Sequence, residues 1–132
     1  MNTDPVAFVR DDFVRLFNAG VAAYKARGEG GDEKAKARYA DIASARGKVL
    51  VRFDGDDGGT LWLSVKDGVM ATCDAEPAEL PARLAIAAPA DAARAGLEEL
   101  AAHFDEEKAA RRFARAASGE IEKVLEGHQL RF

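Results

Sequence analysis

Chemistry in this chain would have to come from few reactive side chains. Two histidines, His103 and His128, one cysteine, Cys73, and serines at 44, 64 and 118 are the principal candidates for base and nucleophile. A nucleophile needs an adjacent base that is itself held by a third group. No serine stands in a Gly-x-Ser-x-Gly context, the turn that presents a hydrolase nucleophile. His103 lies beside the apolar positions of an amphipathic stretch and reads as a partly buried, satisfied imidazole rather than a general base. Cys73 alternates with Ala71 and Val69, the spacing of one strand face, and reads as a buried small hydrophobe. A reactive thiol would need exposure and a nearby cation. No catalytic residue is expected.

The run Asp54-Gly55-Asp56-Asp57-Gly58 invites a calcium site. An EF-hand loop needs oxygen ligands at its first, third and fifth positions and a bidentate glutamate at the twelfth. Counted from Asp54, the fifth position is Gly58 and the twelfth is Val65, so the pattern fails twice. A solvated hairpin turn is the better reading. Two histidines and one cysteine are too few for a Cys/His metal site, and no metal or cofactor is expected.

Binding surfaces are what remain, and the elements that would build them are legible. Val49, Val51 and Phe53 alternate with Lys48 and Arg52, the period of a strand. Leu61, Leu63 and Val65 alternate in the same way with Thr60, Ser64 and Lys66. Asp67-Gly68 is a type I′ hairpin turn, in which both central residues take positive φ. Four strands are predicted over Val49–Asp54, Thr60–Lys66, Val69–Asp74 and Arg83–Ala88, with His128–Phe132 as a fifth. The two-residue turn puts Leu61, Leu63, Val65 and Met70 on one face and Trp62, Val69, Ala71 and Cys73 on the other. Both faces therefore want cover. Two packed helical layers, a dimer interface, or an apolar tunnel under a layer that stands off the sheet would each provide it.

Helices are expected on both sides of this meander in the chain. Asp4-Pro5 supplies an N-cap and a first-turn proline. Val6, Val9, Phe13, Leu16, Phe17, Val21 and Tyr24 then recur at helical spacing until the glycines at 28, 30 and 31. A second helix is predicted from Asp32 to Arg46. Further helices follow over Ala92–Phe104, from Asp105 through Ser118, and over Glu120–Glu126. The fold class is α+β: one mostly antiparallel, mixed five-stranded sheet packed against helices, in a single domain spanning residues 1–132.

Composition narrows the partners. The 132 residues are 48% hydrophobic and 32% charged, with a net charge of −4. That balance gives no electrostatic reason to expect nucleic acid, which needs a concentrated basic face. No run approaches the roughly 18 apolar residues of a membrane span. The single cysteine fits a reducing compartment, and the acidic N-terminus lacks the charge pattern of a signal peptide. A cytoplasmic location is expected.

Residues 48–66, a strand ending in aspartate, a Gly-rich turn and then Thr-Leu-Trp-Leu-Ser-Val-Lys-Asp-Gly, resemble the sterol carrier protein 2 (SCP2) domain. Members of that family often carry an aromatic in the second strand, followed by a charged residue and glycine before the third. Here those positions are Trp62, Lys66, Asp67 and Gly68. The segment Leu-Ala-Ile-Ala-Ala-Pro-Ala-Asp-Ala-Ala-Arg-Ala-Gly-Leu-Glu-Glu-Leu resembles the family's strand leading into a helix. The likeness covers roughly residues 45–100. The C-terminal segment departs from it: Gly119 and Gly127 are kept, but the lysine and aspartate of the family's closing Gly-Lys-Leu and Gly-Asp pairs are missing. A long charged helix also precedes that segment.

The resemblance implies a tunnel between sheet and helices that takes sterols, fatty acids or fatty acyl-CoA, without cofactor or catalysis. The expected function is thus a non-catalytic carrier of an apolar small molecule. The expected ligand-binding wall is Trp62, Met70, Leu97, Leu100, Phe104 and Phe113. The alternative is an interaction module with the same fold and a filled core, in which case a homodimer is possible.

Overall fold

Asp4 opens the first helix as anticipated: its side chain accepts from the Ala7 N–H at 3.0 Å, and Pro5 sits in the first turn. The computed structural model describes residues 1–115, apart from the side chains of Arg83, Leu84 and Arg115. Helix α1 (Pro5–Ala7) passes into a π-helical segment (Phe8–Phe13) and then into α2 (Val14–Glu29). The wider turn adds a residue per repeat and re-phases the helix surface. Phe8 is thereby turned fully inward, while Phe13, an expected stripe residue, is only half-buried. A simple 3.6-residue period misses this exchange.

Helix α3 (Glu33–Ser44) is capped by the Asp32 side chain, which accepts from the Ala35 N–H at 3.1 Å. It packs on α2 through a reciprocal pair of cation–π contacts. The Lys25 ammonium lies 5.9 Å from the Tyr39 ring centre, and the Arg38 guanidinium 5.9 Å from that of Tyr24.

The sheet comprises β1 (Gly47–Asp54), β2 (Gly59–Lys66), β3 (Val69–Cys73) and β4 (Ala82–Pro89) in the order β3-β2-β1-β4. The meander β1-β2-β3 is antiparallel, whereas β4 joins β1 in parallel. The sheet is therefore mixed, with four strands among the described residues rather than five. The expected fifth strand, His128–Phe132, and the helix over Glu120–Glu126 lie outside them. Asp67 and Gly68 take φ of 54° and 77°, the I′ turn that their types require.

Helix α4 (Ala90–Ala102) begins directly after β4, two residues earlier than the alternation suggested. Helix α5 (Glu106–Arg115) is capped by Asp105, whose side chain accepts from the Lys108 N–H at 3.1 Å. It lies so close to α2 that a Cβ on Gly20 would sit 2.0 Å from the Ala110 carbonyl oxygen. The helices meet one face of the sheet. Phe8, Phe17, Val21 and Leu97 form a continuous core there with Val51, Phe53, Leu63, Val65 and Met70. Asn18 closes the β3 edge: its side-chain amide donates to the Met70 carbonyl at 3.0 Å, and its oxygen accepts from the Met70 N–H at 2.9 Å. This gives an edge residue the backbone partners that no further strand among the described residues supplies.

Candidate functional site

The alternation of β2 decides what the sheet offers. Leu61, Leu63 and Val65 point to the helices, so Trp62 must point away from them. The register then aligns Trp62 with Leu50 of β1 on one side and with Cys73 of β3 on the other. Leu50 in turn pairs with Ala85 of β4. Paired residues on neighbouring strands share a face. Cys73, Trp62, Leu50 and Ala85 thus form one apolar row across all four strands.

Among the described residues no helix covers this row. Leu50, Trp62 and Cys73 are half-buried, and Ala85, Ala87, Ala71 and Val69 are exposed. Val69, at 56% exposure, is the most solvent-facing large aliphatic side chain of the sheet among the described residues. Antiparallel sheets often leave one face to solvent, but that face is normally polar. Here it carries the only tryptophan of the chain.

Cations edge the row. Lys48, Arg52 and Lys66 stand on the same face by strand parity. Arg52 is paired with Asp54 at 3.1 Å, both well exposed. Lys48 is different. Its side chain is withdrawn to 12% exposure, its ammonium lies 5.9 Å from the centre of the Trp62 ring, and it contacts the Glu76 carboxylate at 2.9 Å. Glu76 belongs to the connection that carries the chain from β3 past two strands to β4. The same connection is tied down where the Lys48 N–H donates to the Pro81 carbonyl at 2.9 Å. Lys48 is therefore held from both its backbone and its side chain.

The six residues expected to wall a tunnel do not surround one space. Met70 and Leu97 are core residues at 6% and 0% exposure. Leu100 packs against that core, and so does Phe113, whose ring meets Phe8 edge-on at 6.3 Å and Phe13 at 4.8 Å. Phe104 is half-buried just beyond α4. Trp62 stands on the opposite face of the sheet from Met70, because residues at odd and even positions of β2 diverge. Leu50, Ala85 and Lys48 were not anticipated as site residues. The antiparallel register of β1 with β2 brings Leu50 to Trp62, the parallel pairing of β1 with β4 adds Ala85, and the reach of Glu76 fixes Lys48; the last two are not readable from local alternation.

The residues with reactive side chains are scattered. His103 is exposed at the end of α4, not partly buried, and its N–H closes that helix by donating to the Leu100 carbonyl. Cys73 is half-buried on the open face rather than in the core. Asp12, a buried carboxylate of the π-helical segment, accepts from the backbone and side-chain nitrogens of Asn2 at 2.8 and 2.9 Å. It also meets Arg15, which bridges to Glu106 of α5. Compared with known protein families, with curated proteins and with solved structures, the chain matches none.

Proposed function

We propose that the protein binds, without transforming, an apolar small molecule with an anionic head, of the fatty-acid or fatty acyl-CoA class, on the open face of its sheet. The observation that carries this reading is the row Cys73, Trp62, Leu50 and Ala85, apolar across every strand and bordered by Lys48. Three inter-strand spacings make the row about 14 Å long, close to the length of a medium fatty acyl chain. The apolar stripe suits the chain and the cationic edge suits the head. The helix-side residues Met70 and Leu97 contribute by holding the sheet rigid beneath the site.

Trp62 is the sole tryptophan and reports on this face directly. Titration with dodecanoate, kept below its micellar concentration, is expected to shift Trp62 emission to shorter wavelength and to saturate. Unchanged emission at saturating ligand, together with no calorimetric heat, contradicts the reading. Sedimentation of the ligand-free protein as a dimer with a quench-protected Trp62 would instead assign the face to a second copy of the chain.

A further inference from the structure

Lys48 stands out from the other cations of the open face. A charge withdrawn from water to this degree is costly unless it is paired. Its partner Glu76 is itself 53% exposed on a loop. Glu76 thus neutralises Lys48 while remaining free to turn into solvent at little cost. The ammonium offers three donors, and it flanks the apolar row two residues along β1 from Leu50, over the Trp62 ring. A carboxylate whose alkyl chain follows Trp62 and Leu50 arrives at the same ammonium. Two carboxylates that close repel one another, so head and Glu76 compete.

We infer that Lys48 is the receptor for the anionic head of the ligand and that Glu76 is a built-in competitor that occupies it in the free protein. This rests on the reading that the open face binds the amphiphile, and adds what selects its head. Two consequences are specific. The site discriminates a carboxylate from a neutral head on the same chain. Removing the charge of Glu76 tightens binding rather than weakening it, the opposite of what loss of a purely structural ion pair would do.

The test compares dodecanoate with 1-dodecanol, both below aggregation, by Trp62 emission in the full-length protein and in three variants. Glu76→Gln is expected to bind dodecanoate several-fold more tightly with dodecanol unchanged. Lys48→Met is expected to weaken dodecanoate by about tenfold or more, the scale of a charge-assisted hydrogen bond, again with dodecanol unchanged. Lys48→Arg, which keeps the charge, restores most of the preference. Thermal melts of each variant confirm that the fold is retained. Dodecanoate that binds equally well to all four proteins overturns the role of Lys48 and leaves the open face standing as the site. Weaker dodecanoate binding in Glu76→Gln overturns the competitor role. Failure of both probes to bind the parent protein removes the site and the inference together.

Discussion

Asp12 shows how one side chain can tie distant segments together. Burial by itself raises the pKa of this carboxyl. The backbone and side-chain hydrogen bonds from Asn2 outweigh burial, aided by Arg15 and the positive N-terminus, so the group sits below its ordinary value. A carboxyl whose folded pKa is lower than its unfolded one stabilises the fold fully above the unfolded value, near 4, and loses that contribution as pH falls through the folded value. Asp12→Asn is therefore expected to melt below the parent protein at pH 7. The gap should narrow steadily once pH drops below roughly 4. Melting curves between pH 2 and 7 check this, and a gap that stays constant across the range contradicts the account.

At the scale of elements, the contact between α2 and α5 depends on a missing side chain. A Cβ on Gly20 would lie 2.0 Å from the Ala110 carbonyl oxygen and 2.8 Å from the Ala114 Cβ, so α2 and α5 would have to part. Gly20→Ala is expected to destabilise by about 1–3 kcal/mol or more, the cost of overpacking. Gly96, in α4, is the control, because a Cβ there meets nothing within 4 Å. Gly96→Ala is expected to stabilise by about 0.4–1 kcal/mol through the unfolded chain. Chemical denaturation of both variants measures the contrast, and equal effects would remove the argument. The elements themselves were largely legible. Alternation placed β1, β2 and β3, Asp67-Gly68 set the register of β2 with β3, and Asp4, Asp32 and Asp105 marked helix starts. The π-helical segment was not legible, because an inserted residue per turn leaves no mark in a 3.6-residue pattern. The site was legible only in part. Trp62 was visible as the aromatic of β2, and Leu50 joins it through the antiparallel pairing of β1 with β2, but Ala85 enters through a parallel pairing and Lys48 is held by a loop contact between residues distant in sequence.

For the whole molecule, the two faces of the sheet differ among the described residues. One face is filled by Phe8, Phe17, Leu97 and their neighbours and supplies stability. The other presents Trp62 between Leu50 and Cys73 with Lys48 at its edge. Likeness to the SCP2 domain implied a cavity between sheet and helices, whereas the proposal places the ligand on the opposite face, because Met70 and Leu97 are buried in the core. Amide chemical shifts of the 15N-labelled protein titrated with dodecanoate separate the two faces most directly. The account predicts saturable shifts at residues 50, 62, 73 and 85 and at the Trp62 indole N–H, with Leu97, Leu100 and Phe113 unmoved. Shifts centred on Leu97, Leu100 and Phe113, with the Trp62 indole unmoved, would contradict it.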